Sequence, residues 1–221
     1  MEFMNIKIFY FMKKIIFIKL LFCTFLINAQ EQKNEIISKF DYEDFGSKEF
    51  FMQTFEGISK VDYNFSNVKN LVGKNFKFTI RKYKNGKLDF SQIIIDTKLE
   101  NLPKIDKKFN FSIISQQTVG QQKIMFSFPT LRFFNKKSFE INEKFEDGTF
   151  DCRILVTDSD TGKKPFEFGK EIQIALITPP NDDPNNGQLG YCEVTRSEIE
   201  IESWYNQYKI SEFFLIYLVI E

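Results

Sequence analysis

The residues best suited to hold a ligand lie in a polar loop late in the chain. Asp182, Asp183 and Asn185 stand within residues 181–187, a run that also contains a proline and a glycine. Carboxylate and amide oxygens are the ligands that calcium prefers in proteins. The spacing does not match an EF-hand loop, and the same residue types dominate ordinary turns for backbone reasons. The loop therefore predicts either a calcium site or a solvated turn.

A second candidate site is aromatic. Trp204, Tyr205 and Tyr208 lie within residues 201–209, where positions 204 and 208 are one helical turn apart. Tryptophan and tyrosine side chains bind sugars when they are exposed beside polar groups, whereas rings that face inward only pack a core. These three residues are the predicted ligand-binding surface, and core packing is the alternative.

The composition excludes several classes of site. The chain of 221 residues contains no histidine, which rules out a Ser-His-Asp triad, a Cys-His pair and any zinc site with imidazole ligands. Its 30 basic and 30 acidic side chains give a formal charge of zero, which argues against nucleic-acid binding. Phosphate-loop, nucleophile-elbow and dinucleotide-binding motifs are also missing from the sequence. We therefore predict no catalytic residues, and a carboxylate-based hydrolase is the least favoured alternative.

The first 29 residues have the pattern of a secretory signal peptide. Met12 and two lysines precede an apolar stretch at residues 15–27, and the small residue Ala29 stands before a polar run. We predict cleavage after Ala29, with Met12 as a possible true start and a retained membrane anchor as the alternative interpretation. Removing residues 1–29 takes away four lysines and one glutamate, which leaves 192 residues with a formal charge of −3.

Two cysteines, Cys152 and Cys192, remain after cleavage. Exported proteins fold in oxidising compartments, where an even number of cysteines favours a disulfide. We therefore predict a bridge between Cys152 and Cys192, and two buried free thiols are the alternative.

Most of the chain has the patterns of β-strands. Apolar and polar residues alternate at 76–81, Asn85-Gly86 favours a two-residue hairpin turn, and a return strand follows at 88–96. Further β-rich runs occupy residues 109–115, 123–128, 138–142, 150–157, 171–178, 191–195 and 213–220. Turn residues separate these runs, and residues 158–162 predict another hairpin turn. The pattern is typical of an all-β fold, an antiparallel, immunoglobulin-like β-sandwich with at most one or two short helices.

Helical patterns are rare. Residues 201–209 are the better helix candidate and residues 31–40 the weaker one, while residues 40–56 have no secure assignment. The predicted organisation is a signal peptide at 1–29, a segment of uncertain structure at 30–66 and a β-sandwich domain at 67–221. Two immunoglobulin-like units divided near Pro103 are the alternative.

Three fragments of the last third of the chain form a loose motif. They are Tyr191-Cys192-Glu193, Glu202-Ser203-Trp204-Tyr205 and Phe213-Phe214-Leu215. In these fragments the chain resembles the tail of small exported bacterial β-sandwich proteins of unknown function. Because such families have no assigned activity, the resemblance implies the fold and no mechanism.

Together these patterns predict an exported, non-enzymatic binding or structural module of the bacterial cell envelope, periplasmic or extracellular, with no transmembrane segment in the mature chain. Its predicted partner is an envelope glycan or a surface protein, bound through loops at one end of the sandwich. A periplasmic inhibitor or immunity-type protein, which would bind one protein partner through a strand edge or an acidic patch, is the first alternative. No cofactor is predicted except possible calcium.

Overall fold

Eleven strands make up most of the described chain. The structure is a computed structural model that describes residues 34–40, 44–142, 150–155, 161–179, 205, 206, 208 and 210–221. In chain order the strands are β1 (Glu35–Phe40), β2 (Ile58–Phe65), β3 (Phe76–Lys84), β4 (Lys87–Asp96), β5 (Phe111–Thr118), β6 (Gln121–Phe128), β7 (Phe133–Glu140), β8 (Asp151–Ile154), β9 (Lys163–Pro165), β10 (Ile172–Thr178) and β11 (Glu212–Ile220). A helix, α1 (Lys48–Glu56), and a 3-10 turn (Val68–Asn70) accompany them among the described residues. The predicted signal peptide, including Met12 and Ala29, lies outside the described residues.

The strands form two antiparallel sheets. The six-stranded sheet has the order β7-β6-β5-β2-β1-β9, and the five-stranded sheet has the order β4-β3-β11-β10-β8. Aromatic rings from the inner faces meet between them: Phe78 of β3 lies 4.9 Å from Phe111 of β5 and 4.9 Å from Phe126 of β6, measured between ring centroids. Burying this apolar surface is what holds the two layers together. The predicted all-β antiparallel sandwich is therefore confirmed.

Two elements follow the sequence pattern closely. The β3–β4 hairpin turns at Asn85 and Gly86, whose φ values of 49° and 75° suit the two-residue turn that Asn-Gly favours. The apolar run at residues 213–220 forms most of β11, in which every residue is buried. This strand lies between β3 and β10, and both of its faces are covered. A strand buried on both faces needs a continuous apolar run rather than an alternating one.

Three expectations are wrong. Residues 35–40 form strand β1 and not a helix, because hydrogen bonds to β2 on one side and to β9 on the other outweigh local helix propensity. A division into two units near Pro103 does not occur, since β2 pairs with β5 and β3 pairs with β11 across that position. The expected hairpin at residues 158–162, of which 158–160 lie outside the described residues, is wrong because the strands on either side belong to different sheets, β8 to the five-stranded one and β9 to the six-stranded one.

The segment at residues 30–66 contributes two strands and α1. Strand β2 pairs with β5, and β1 pairs with β2, so this segment supplies inner strands of the six-stranded sheet. The helix α1 lies within the stretch that had no secure assignment. Residues 205, 206 and 208 are helical, within the better helix candidate at residues 201–209.

Gly162 anchors the start of β9 to β1. Its carbonyl accepts hydrogen bonds from the N–H of Ser38, at 2.9 Å, and from the Ser38 hydroxyl, at 3.1 Å. Gly162 has a φ of +65°, and a Cβ added there would lie 2.3 Å from the Ser38 carbonyl oxygen. Both the backbone conformation and the close approach therefore require glycine.

We expect Gly162→Ala to destabilise the protein by more than the usual penalty of about 1 kcal/mol for a non-glycine residue with positive φ. The added methyl group must push β9 away from β1. Gly73→Ala is the matched control, because Gly73 also has a positive φ, of +81°, but no atom lies within 4 Å of its added Cβ. Urea unfolding measures the free energy of unfolding of both variants. Equal losses would show that Gly162 does not approach the Ser38 carbonyl as closely as described.

Candidate functional site

The inner face of β3 changes from apolar to charged along its length. Phe76, Phe78 and Ile80 are buried in the core between the sheets, and the next inward positions of β3 are Lys82 and Lys84. Lys84 is followed by the β3–β4 turn, so the charged positions lie at the end of the sandwich that carries this turn. We call it the turn end. Strand β7 ends there and strand β11 begins there, and they bring Glu140 and Glu212 to the two lysines.

A buried ion pair lies at the turn end. Lys82 and Glu212 are 2% and 3% exposed, and the Lys82 ammonium contacts Oε1 of Glu212. The same ammonium donates a hydrogen bond to the backbone carbonyl of Glu140, which belongs to the opposite sheet. The N–H of Asn142 donates to Oε2 of Glu212 at 3.1 Å. The charge of Lys82 therefore compensates the charge of the buried Glu212 carboxylate.

This ion pair lines a cavity of about 460 Å³ that opens at the turn end. We call this cavity the end pocket. Its lining comes from both sheets and from the connections at that end: Lys82, Lys84, Asn85, Glu140, Ile141, Asn142, Ser211 and Glu212. The N–H of Asn85 donates to the carbonyl of Ser211 at 2.9 Å, which joins the β3–β4 turn to the start of β11. The walls are thus held by backbone bonds and a buried ion pair.

The end pocket presents both donors and acceptors of hydrogen bonds. Lys84 is half exposed, and the carboxylate of Asp89, 3.2 Å from its ammonium, raises the pKa of Lys84. Lys84 therefore stays a charged donor at neutral pH. The lining also includes two asparagines, a serine and two glutamates, and Ile141 is the one apolar member among the described lining residues. Such a lining suits a polar ligand.

The predicted aromatic residues are separated in the structure. Tyr205 packs on the β3–β4 turn, where a Cβ added to Gly86 would lie 3.1 Å from the Tyr205 Cβ. It is therefore close to the turn that supplies Asn85 to the end pocket. Tyr208 packs instead against a small apolar cluster that includes Phe213 and Leu215. Trp204 lies outside the described residues.

The predicted calcium ligands Asp182, Asp183 and Asn185 also lie outside the described residues. Where side chains are described, no group of three or more acidic or cysteine residues is placed to hold a metal ion. Calcium at residues 181–187 therefore stays a prediction.

Cys152 lies in β8 and carries a free, fully buried thiol. The predicted bridge is thus not formed at Cys152, whose side chain packs in the core between the sheets. Its predicted partner Cys192 lies outside the described residues.

Burial raises the pKa of the Cys152 thiol, and the neighbouring charge of Asp151 raises it further. Burial also raises the pKa of Tyr63, which lies in the same core and donates a hydrogen bond to the carbonyl of Ile174 at 3.2 Å.

These two buried groups predict a loss of stability in alkali. Both have a raised pKa in the folded protein, whereas the unfolded chain releases the protons near the ordinary values of about 8.5 for cysteine and about 10 for tyrosine. Above each of those pH values the free energy of unfolding should fall by about 1.4 kcal/mol per pH unit and per group. Urea unfolding between pH 8 and 11 measures the slope. Cys152→Ala should remove the part that begins near pH 8.5. Tyr63→Phe should reduce the slope above pH 10 by the share of one group, because burial also raises the pKa of Tyr217. Unchanged slopes in both variants would contradict this assignment.

The sequence did not single out the residues of the end pocket. Lys82 and Lys84 continue the inward row of β3, and this is the one signal that the sequence offers, because lysine is rarely placed at an inward strand position without a partner. The partner Glu212 became visible only with the register of β11, which pairs Phe214 with Lys82 and Glu212 with Lys84.

Two further findings bear on what the protein is. Within the described part of the chain, no helix has both the length and the hydropathy needed to cross a membrane. The chain matches no protein-family model, no curated protein and no solved structure. The resemblance of its last third to small exported β-sandwich proteins therefore stays a prediction.

Proposed function

We propose that this protein is an exported, non-enzymatic binding module of the bacterial cell envelope and that its ligand enters the end pocket. The observation that carries the proposal is the pocket itself, a polar cavity of about 460 Å³ lined by residues of both sheets, among them the Lys82–Glu212 pair. Its size falls within the range of roughly 300–1,000 Å³ that is usual for small-ligand sites. Loops and strand ends on a rigid β scaffold are where binding residues are normally placed.

The ligand class that the lining favours is a glycan. Sugar hydroxyls both donate and accept hydrogen bonds, and the end pocket offers both kinds of partner in Lys84, Asn85 and Ser211. Tyr205, which packs on the neighbouring turn, is half-buried and places an aromatic ring near the same end. Aromatic faces beside polar groups are a common way to bind sugar rings.

A binding role fits the described chemistry better than hydrolysis. A carboxylate-based hydrolase needs two carboxyl groups that face each other across the substrate. Among the described lining residues Glu212 is the only buried carboxylate, and it is held by Lys82 and by the N–H of Asn142. Glu140 lines the pocket as well, but its side chain is exposed and its backbone carbonyl makes the bond to Lys82.

The envelope location depends on the sequence. The basic start, the short apolar stretch and Ala29 support export, and the formal charge of −3 that remains supports a partner other than nucleic acid. Periplasmic and extracellular locations are both compatible with these features.

Titration calorimetry tests the proposal with residues 30–221. The probes are soluble peptidoglycan fragments and polysaccharide extracted from the envelope of the source cells. We expect saturable binding that Lys84→Met weakens at least about tenfold, because Lys84 is the accessible charged donor of the end pocket. Lys87→Met is the matched control, since Lys87 pairs with Lys84 across the hairpin but is not a lining residue.

Three outcomes would overturn the proposal. The first is the absence of binding to either probe, and the second is binding that both lysine variants leave unchanged. The third is the steady release of shorter sugar products, which would favour the hydrolase alternative.

A further inference from the structure

The helix α1 is well formed although it buries none of its residues. Its N-terminus is capped by Ser47, whose hydroxyl accepts a hydrogen bond from the N–H of Phe50 at 3.0 Å. It ends at Gly57, which has a φ of 61° and bonds back to the last turn. The side chain of Gln116 donates to the carbonyl of Glu56 at 3.0 Å and so fixes the end of the helix to β5. Polar contacts therefore define both ends of the helix, and the contact at its C-terminal end attaches it to β5.

One side of α1 exposes three large apolar residues to solvent. Phe51, Met52 and Phe55 have the spacing that puts residues on one helical face, and they are 58%, 51% and 85% exposed. Phe45, just before the helix, is 88% exposed, and its ring lies 5.0 Å from that of Phe50, which in turn lies 5.6 Å from Phe51. We call Phe45, Phe51, Met52 and Phe55 the α1 apolar face.

The α1 apolar face is a large patch for a protein surface. With roughly 200 Å² per aromatic side chain, the four exposed residues present on the order of 500 Å² of apolar surface. The largest apolar patch of a typical soluble protein covers about 300–600 Å² and is often functional. With a polar rim added, such a patch approaches the roughly 800 Å² per partner of a standard protein interface.

The charges around the face indicate the kind of partner. Glu49 and Glu56 are seven residues apart and therefore line one flank of α1, and Asp44 precedes the helix. Lys48 is the single basic residue of the described segment 44–57. A surface of net negative charge is repelled by anionic lipid headgroups. It attracts a partner that carries lysine or arginine at the matching positions.

Self-association through this face is disfavoured by the same charges. In an antiparallel pair of α1 helices, two-fold symmetry brings Glu49 and Glu56 of both copies onto one side of the contact. In a parallel pair, Lys48 faces Lys48 and the two helix N-termini, which carry partial positive charge, lie together. Like charges at such distances weaken an interface.

We propose that α1 is a docking helix whose apolar face inserts into an apolar groove of a protein partner, with basic residues on the groove rim opposite Glu49 and Glu56. Insertion of an exposed apolar helix face into a groove is a common mode of protein recognition. This docking site is separate from the end pocket, and it stands whether or not the pocket binds a glycan.

Site-specific photo-cross-linking tests the docking helix. A benzophenone amino acid replaces Phe55 in residues 30–221, and the same amino acid replaces Leu99, an exposed residue of the β4–β5 connection, as the control position. Each protein is irradiated with an envelope extract of the source cells. We expect one discrete protein adduct from position 55 and none from position 99.

The charge requirement is tested in the same experiment. Glu49→Lys combined with Glu56→Lys should lower the adduct yield from position 55 about tenfold, whereas Glu167→Lys, an exposed acid elsewhere, should leave it unchanged. Because α1 buries nothing, these variants should keep the circular dichroism spectrum of the parent. Their free energy of unfolding should fall by about 1 kcal/mol, because Glu56 loses its hydrogen bond from Gln116 at 3.3 Å and Glu49 no longer lies at the helix N-terminus as an acid. The proposal is overturned by the absence of an adduct, by an adduct with the mass of two copies of this chain, or by a yield that charge reversal leaves unchanged. Sedimentation of the protein with phosphatidylglycerol vesicles through Phe51 and Phe55 would overturn it in favour of a lipid surface.

Discussion

Replacing Lys82 by methionine is expected to lower the free energy of unfolding by about 3–5 kcal/mol. Methionine fills much the same volume, but it leaves the carboxylate of Glu212 buried without the charge that compensates it. The hydrogen bond to the carbonyl of Glu140, which joins the two sheets at the turn end, is lost as well. Urea unfolding monitored by circular dichroism measures the loss.

Two further variants separate the ion pair from a general effect of removing lysine. Lys82→Met combined with Glu212→Gln should recover most of the lost stability, because glutamine carries no charge and can still accept the hydrogen bond from Asn142. Lys84→Met should cost less than about 1 kcal/mol, since Lys84 is half exposed and its pair with Asp89 is screened by water. A loss below 1 kcal/mol for Lys82→Met would show that the pair is not buried as described.

The second large effect is expected in the aromatic core. Phe78 is 0% exposed, and its ring centroid lies within 6 Å of four others, those of Phe76, Phe111, Phe126 and Phe128. Because three of these rings belong to the opposite sheet, Phe78→Ala opens a cavity in the contact between the layers. We expect a loss of about 3–5 kcal/mol, the usual range for truncation of a buried phenylalanine.

Thermal and urea unfolding check this prediction. In a chain of this size the loss should lower the melting temperature by on the order of 10 °C. Phe134→Ala is the matched control, because Phe134 lies on the edge strand β7 and is 69% exposed. Its truncation should change the free energy of unfolding by less than about 0.5 kcal/mol. Equal losses for the two variants would contradict the assignment of Phe78 to the contact between the sheets.

The parts of the fold that follow from the sequence are those decided by local pattern. The β3–β4 hairpin depends on alternation in two adjacent strands and on an Asn-Gly turn, and all of these can be read within 21 residues. The buried strand β11 follows from a continuous apolar run, whereas a half-exposed strand would have polar residues at alternate positions. In both cases the deciding interactions join neighbours in sequence or depend on burial alone.

Elements decided by distant pairing could not be predicted in the same way. Residues 36 and 37 are isoleucines that suit either a helix or a strand. They form a strand because β1 pairs with β2 and with β9, and β9 lies more than 120 residues further along the chain. Strand β9 has three residues, Lys163–Pro165, and no apolar pattern of its own. It exists because β1 offers hydrogen bonds to it.

The residues of the end pocket could not be predicted from the sequence for the same reason. The residue types of Tyr205 and Tyr208 favour a ligand-binding role, but the structure places one on a turn and the other over an apolar cluster. Lys82 and Glu212 are separated by 130 positions, and charged residues of both signs are abundant, so sequence alone gives no reason to pair them. The pairing follows from the antiparallel register of β3 and β11.

The most direct test of the account is to locate the bound ligand by NMR. Amide spectra of isotope-labelled residues 30–221 would be recorded while soluble peptidoglycan fragments or envelope polysaccharide are added. We predict saturable shifts at the turn end, centred on Asn85, Asn142, Ser211 and Glu212, and little change at the opposite end around Leu99. Shifts centred on the opposite end, or none at the end pocket with either glycan, would contradict the assignment of this cavity as the binding site.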